Sequence, residues 1–189
     1  MGFGRIIDFN DSFIELELGP LNDEPPTPND VTLIIALPRP KMLKRILREA
    51  TTLGIKQFYI INTFKVDKSY WSSPVLDTEN LKRFLLEGLE QCIDTQLPVI
   101  HFKRFFKPFV EDDLPTLSSG KKGYVAHPRD VESCPAAFAS PTIISIGPEG
   151  GFIDYEIEKF TEAGFECISL GKRILKVETA IPVLVGRCI

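Results

Sequence analysis

Two short glycine-bearing segments in the last third of the chain contain residue types that could hold a ligand against bare backbone. The first, Gly147-Pro148-Glu149-Gly150-Gly151, comes directly after the apolar run 142–146. Glycine lets backbone N–H groups approach a ligand because no Cβ stands in the way. The same residues could instead make a tight connection between a strand and a helix, and this segment alone leaves both interpretations open.

The second segment, LGKRILKVETA, covers residues 170–180 and again follows an apolar run that predicts a strand. It contains Gly171, adjacent basic and apolar side chains, and the acid Glu178 at the start of a predicted last helix. In α/β sheets, ligands collect beyond the carboxyl ends of the strands. Two glycine-bearing loops at two such ends could therefore form the two walls of one pocket.

Familiar nucleotide-binding and catalytic patterns do not fit this sequence. The first strand of the main domain runs into residues 37–40, LPRP, rather than a G-x-G-x-x-G turn, which disfavours an ordinary dinucleotide site. The phosphate-loop pattern GxxxxGK[ST] is absent as well. The four scattered cysteines and two histidines predict no metal site, no disulfide framework and no Ser-His-acid set, and they fit a reducing cytoplasm.

The elements that must position these segments alternate between strands and helices. Apolar runs rich in β-branched residues predict strands at 31–37, 57–62, 99–102, 123–127, 142–146 and 166–170. Helical spacing of apolar residues predicts helices at 38–54, at 78–95 and from Asp154 to Gly164. Such alternation predicts an α/β fold with a parallel sheet that carries helices on both faces.

The amino-terminal residues predict a separate, small β element. Residues 1–22 include a weakly alternating stretch, and the proline-rich residues 23–30 predict a linker to the main domain, residues 31–189. No run approaches the roughly 20 apolar residues of a membrane span. The formal net charge of −4 argues against coating nucleic acid by bulk charge, yet allows a local basic patch.

The paired segments IGPEGGF (146–152) and LGKRILKVETA resemble the signature of the RsmE-type 16S ribosomal RNA uracil-N3 methyltransferases, which are members of the SPOUT superfamily. Across residues 31–189, the segment EATTLGI (49–55), the Glu90-Gln91 pair with Pro98, and the His127-Pro128 pair are also similar to that family. The resemblance implies a trefoil-knotted α/β domain, although knots are otherwise nearly absent from proteins. It also implies S-adenosylmethionine as cofactor, a homodimer, and a uridine of the small ribosomal subunit as substrate.

The resemblance further implies roles for residues at the two segments. Cofactor-binding residues would be Ile146, Gly147, Glu149, Gly150, Gly151, Leu170, Gly171, Ile174, Leu175, Thr179 and Ala180. Uracil N3 carries a proton at neutral pH, so a base or a stabilising cation is needed before it can act as a nucleophile. We expect Glu178 as the base and Arg173 and Lys176 as the cations. Glu178 could instead serve only to offset the dipole of its helix.

RNA contacts are expected at Arg39, Lys68, Ser69 and Arg173. Either ring of the Tyr70-Trp71 pair could stack on an unpaired base, although covering an edge of the core is the simpler role.

The chain departs from the family pattern in four ways. Its amino-terminal β element is too short for the family's complete RNA-binding barrel, and Asp94 places an acid on a face expected to meet RNA. Lys176 replaces an arginine and loses its bidentate fork. Pro182 enters the last helix early and is tolerable only within the first turn. These departures leave two alternatives open, a methyltransferase for a different RNA and a non-catalytic module that binds the cofactor or RNA.

Overall fold

The structure is a computed structural model, and it describes residues 1–128 and 133–188. The predicted main domain, 31–189, also includes residues 129–132 and 189, which lie outside the described residues. Near the amino terminus, β1 (Gly4–Phe9) and β2 (Ile14–Leu18) form an antiparallel two-stranded sheet. Every residue of both strands is exposed, so the large apolar side chains of this hairpin meet solvent on both of its faces.

The main domain contains one six-stranded sheet in which every pair of neighbouring strands is parallel. Its strands are β3 (Val31–Ala36), β4 (Gln57–Ile61), β5 (Val99–Lys103), β6 (Lys122–Ala126), β7 (Thr142–Ile146) and β8 (Glu166–Ile168). They lie in the order β5-β4-β3-β7-β6-β8. From β3 the chain builds outward through β4 and β5 on one side, whereas β6, β7 and β8 lie on the other side. The order of connection therefore reverses between β3 and β7.

Helices cover both faces of this sheet, as the full burial of β3 and β7 requires. The main helices are α1 (Pro40–Thr52), α2 (Thr78–Cys92), α5 (Asp154–Glu162) and α6 (Val177–Val185). Shorter elements are 3₁₀ turns at Lys68–Ser72 and Pro74–Leu76, α3 (Phe106–Pro108), a π-helical turn at Phe109–Asp113 and α4 (Leu114–Leu117). Within the described residues, no helix has the length and apolar content that a membrane span requires.

The predicted element order is confirmed, and most differences lie at the ends of elements. The apolar face predicted for α1 is buried, and Gly54 adopts the left-handed conformation (φ 78°) expected after the end of that helix. The strand predicted at 166–170 ends at Ile168. Pro182 lies inside α6 rather than in its first turn, so that expectation is wrong. Because proline has no N–H, the carbonyl of Glu178 receives no intrahelical hydrogen bond from it.

The expectation that Asp94 presents a charge to RNA is also wrong. Its side chain is only 3% exposed, and its carboxylate lies 2.5 Å from the ammonium of Lys56, which is 13% exposed. The N–H of Gln96 donates a second hydrogen bond to it at 2.8 Å. Asp94 therefore closes the turn after α2 against the start of β4 instead of facing a substrate.

Candidate active site

The carboxyl ends of β3, β6, β7 and β8 meet at one edge of the sheet, where the chain order reverses. This is the place where open α/β sheets bind ligands. A cavity of about 510 Å³ lies there. It falls within the size range of small-molecule sites, roughly 300–1,000 Å³. Its apolar lining includes Met42, Ala126, Ile146, Ile168, Leu170, Ile174, Leu175, Val177 and Ala180.

The first wall of the cavity is the turn between β7 and α5. The N–H of Gly151 donates to the carbonyl of Pro148 at 2.7 Å, and Gly151 adopts a φ of 69°. A Cβ added to Gly147 would lie 2.8 Å from the backbone nitrogen of Phe152. Glycine is therefore required at position 147 by close backbone packing and at position 151 by conformation.

Three side chains fix this turn in place. Glu156 is buried, and its two carboxylate oxygens accept from the N–H groups of Phe64 at 2.7 Å and Ile153 at 2.9 Å. The ammonium of Lys65 donates to the carbonyl of Gly150 at 2.7 Å, and the carboxylate of Glu149 accepts from the N–H of Arg39 at 3.1 Å. The turn is thus tied to the ends of β3 and β4, which keeps the cavity wall in one position.

The second wall is the loop between β8 and α6. The N–H of Gly171 donates to the hydroxyl of Ser169 at 3.2 Å, and Gly171 has a φ of 104°. A Cβ on Gly171 would have no heavy atom within 4 Å. Ile174 is 80% exposed and Leu175 is 36% exposed, although both line the cavity. The loop therefore offers apolar surface that a bound molecule could cover.

Charged groups line the mouth of the cavity. Glu178 is the second residue of α6 and is half-buried, close to helix N–H groups that have no intrahelical partner. Glu49 accepts a hydrogen bond from Arg45 and raises the pKa of that guanidinium, to which attraction by Glu178 adds a smaller part. Glu178 is thus within electrostatic reach of the Arg45 guanidinium.

The structure brings most of the predicted site residues together. All three predicted catalytic residues line the cavity, and so do nine of the eleven predicted cofactor-binding residues. The two that do not line it are Gly150 and Thr179. A Cβ on Gly150 would meet the side chain of Lys65 rather than the cavity, and Thr179 is exposed on α6.

The predicted RNA contacts divide into two groups. Arg39 and Arg173 lie at the cavity. Lys68 and Ser69 lie in the 3₁₀ turn after β4, where the N–H and hydroxyl of Ser69 both donate to the carboxylate of Asp67. The second group is therefore not part of the cavity lining.

Sequence reasoning missed part of the lining. Lys41 and Met42 enter from the first turns of α1, and His127 and Pro128 come from the end of β6. The His127-Pro128 pair had a signal in the family resemblance. For Lys41 and Met42 the sequence carried no signal except their place after the end of a predicted strand. Within the described ranges, no group of three or more His, Cys, Asp or Glu side chains could hold a metal ion.

Comparisons with known proteins agree with this picture. Residues 25–188 match the family described as RNA methyltransferase domain. The chain is 31% identical over 152 residues to ribosomal RNA small subunit methyltransferase E of Treponema pallidum, covering 78% of this chain and 57% of the relative. It is 28% identical over 173 residues to the protein of that name from Mesomycoplasma hyopneumoniae, covering 89% of this chain and 72% of the relative. The chain thus spans little more than half the length of the Treponema relative.

Solved structures share the fold. A crystal structure of ribosomal RNA small subunit methyltransferase E from Neisseria gonorrhoeae, bound to S-adenosyl methionine, matches with a TM-score of 0.76 and 20% identity. That match covers 97% of this chain and 75% of the other. The SpoU methyltransferase AviRb from Streptomyces viridochromogenes matches with a TM-score of 0.57 and 15% identity, over 93% of this chain and 65% of the other. These likenesses confirm the predicted α/β fold with a parallel sheet that carries helices on both faces.

Proposed function

The chain belongs to the RNA methyltransferase domain family, and from this premise we propose that it transfers a methyl group from S-adenosylmethionine to N3 of a uridine in small-subunit ribosomal RNA. One observation carries the proposal. Two glycine-bearing loops, at the carboxyl ends of β7 and β8 on either side of β6, enclose an apolar cavity whose mouth holds Glu178, Arg173 and Lys176. This arrangement provides both a cofactor site and ionisable groups beside it.

The residues present fit such a cofactor. Apolar side chains such as Ile146 and Leu170 provide flat contact surface for a purine ring. Gly171, where an added Cβ would meet no heavy atom within 4 Å, leaves backbone of the second wall accessible to its polar edge. S-adenosylmethionine, when bound, supplies an electrophilic methyl group on its sulfonium.

The ionisable residues provide the chemistry that uracil N3 requires. Glu178, in the first turn of α6 and in the cavity lining, accepts the N3 proton. Arg173 and Lys176 stabilise the negative charge that then develops on the ring. The uracil N3 must lie in line with the methyl group. The rigid wall formed by residues 147–153 contributes by holding the uracil ring in that position.

The remaining proposals concern partners and location. The relatives named ribosomal RNA small subunit methyltransferase E support 16S ribosomal RNA, or the small subunit, as substrate and the bacterial cytoplasm as location. The exposed Ile174 at the cavity supports a homodimer in which the second copy covers this loop. We propose residues 1–22 as part of an RNA-binding β element and residues 23–30 as its linker.

The proposal is tested by calorimetric titration with S-adenosylmethionine and its demethylated product, followed by a methyl-transfer assay on small ribosomal subunits. We expect binding of both compounds and transfer of one methyl group to uridine. Binding without transfer to ribosomal subunits would favour a different RNA target or a non-catalytic module. Absence of binding would contradict the cofactor site itself.

A further inference from the structure

Two phenylalanine side chains at the same edge of the sheet are almost fully exposed. Phe64 is 79% exposed and Phe105 is 74% exposed, which makes them the most exposed aromatic rings among the described residues of the main domain. They follow the carboxyl ends of the adjacent strands β4 and β5. The N–H of Asn62 donates to the carbonyl of Lys103 at 2.9 Å, which holds the two segments side by side.

Each exposed ring has a cation as its sequence neighbour. Lys65 follows Phe64, and Arg104 precedes Phe105. Neither cation has a carboxylate partner within ion-pair distance in the described part of the chain, whereas the nearby Lys103 is paired with Asp113 at 2.7 Å. Lys65 and Arg104 therefore place unpaired positive charge beside the exposed rings, in a chain whose formal net charge is −4.

The support beneath these residues is fixed. Trp71 is half-buried, donates from its indole nitrogen to Asn62 at 2.8 Å, and packs edge-on against Phe102 with ring centroids 6.1 Å apart. The guanidinium of Arg104 lies 5.1 Å from the centre of the Trp71 ring. Trp71 thus covers the core edge and orients Arg104, so it is not available to stack on a base.

This surface, made of Phe64, Lys65, Arg104 and Phe105, contacts the turn that forms the first wall of the cavity. The Lys65 ammonium donates to the carbonyl of Gly150 in the first cavity wall, and the Phe64 N–H donates to Glu156, which also holds Ile153. Nucleotides next to one whose base enters the cavity therefore have a short path to these rings.

We propose that this four-residue surface is a stacking platform for single-stranded RNA next to the target nucleotide. Unpaired bases stack on Phe64 and Phe105, and Lys65 and Arg104 contact the phosphates. Rings interleaved with cations suit single strands because unpaired bases expose their flat faces, whereas a duplex hides them. The proposal rests on the proposed function in taking RNA as substrate.

The test measures binding of a fluorescein-labelled 12-nucleotide single-stranded RNA of mixed sequence by fluorescence anisotropy. We expect Phe64→Ala and Phe105→Ala each to weaken binding about 5-fold or more, and the double variant to weaken it further. Phe64→Tyr keeps a stacking ring and should retain wild-type affinity. Lys65→Gln should lower the slope of log affinity against log salt by about 0.7, the value of one phosphate contact on a single strand.

Controls separate this proposal from the proposed function. Leu86→Ala removes exposed apolar surface on α2, which contributes no residue to the platform, and should leave RNA affinity unchanged. The Phe64, Phe105 and Leu86 variants should bind S-adenosylmethionine as the wild type does and keep its thermal unfolding midpoint. If the wild type transfers methyl groups to RNA but the double variant binds single-stranded RNA equally well, the platform is wrong and the proposed function stands.

A different result would assign the surface to another occupant. If the double variant changes from dimer to monomer in analytical ultracentrifugation while its RNA affinity is unaltered, the surface is an interface between two copies of the chain. That outcome would overturn the proposal as well.

Discussion

Glu178 combines two properties at one position, because it is both a first-turn acid of α6 and a group at the mouth of the cavity. As a first-turn acid it stabilises the helix through its dipole, an effect that an uncharged side chain would lose. As a base it would act on the substrate proton. The two roles differ in what they require, since the helix needs only negative charge whereas proton transfer needs a basic oxygen.

We predict that Glu178→Gln leaves cofactor affinity near the wild-type value and slows methyl transfer about 100-fold or more, because the amide has the same shape but cannot accept a proton. Calorimetry and a single-turnover transfer assay would measure the two quantities separately. Glu158→Gln, an exposed acid on α5, is the matched control and should change neither. Unaltered turnover in Glu178→Gln would remove it as the base.

The turn formed by residues 147–153 shows how an element controls a site through backbone contacts rather than side chains. Two of its three glycines, Gly147 and Gly150, have different surroundings. A Cβ on Gly147 would meet backbone atoms of Gly151 and Phe152, which cannot move without opening the turn. A Cβ on Gly150 would meet only the flexible side chain of Lys65, at 3.0 Å.

We therefore predict that Gly147→Ala weakens S-adenosylmethionine binding at least 10-fold and costs about 1–3 kcal/mol of stability, as other overpacking substitutions do. Gly150→Ala is the matched control and should lower affinity less than 3-fold. Calorimetry and urea unfolding would compare the two variants directly. Equal effects of both substitutions would mean that close packing at Gly147 does not shape the cavity.

Local patterns explain which of these features could be predicted from the sequence. The spacing of Leu43, Ile46, Leu47 and Ala50 predicted the buried face of α1, and the apolar run 142–146 predicted β7, because both depend on neighbours in the chain. The contact between Lys65 and Gly150 joins distant parts of the sequence and left no local signal. Phe64 was equally hidden, since an apolar residue just beyond a strand is normally expected in the core.

For the whole molecule, the pair Lys56 and Asp94 links stability to pH. Burial alone would raise the pKa of Asp94, but hydrogen bonds from Lys56 and the Gln96 N–H, with attraction to Lys56, outweigh it and lower that pKa below its usual value. A carboxyl group with a lowered folded-state pKa stabilises the protein above its unfolded-state pKa, about 3.9. That contribution is lost as the pH falls through the lower folded value.

We predict that Asp94→Asn costs about 3 kcal/mol at pH 7, because it leaves the ammonium of Lys56 nearly buried without its partner. Urea unfolding of both proteins between pH 7 and pH 2 would test this, and the difference between them should shrink below about pH 4. The control is Glu162→Gln, which removes an exposed partner of Lys159 and should cost less than about 1 kcal/mol. A difference that stays constant across this range would contradict the assigned role of Asp94.

The position of β3 and β7 at the centre of the sheet has a consequence for how the chain is made. Val31 pairs with Thr142, so most of the chain must leave the ribosome before the two middle strands can meet. Until then β3 has only β4 as a partner, and one of its edges remains open to other chains. Contacts between such distant residues slow folding. The newly synthesised amino-terminal half therefore passes through an aggregation-prone stage that ends only when β7 is inserted.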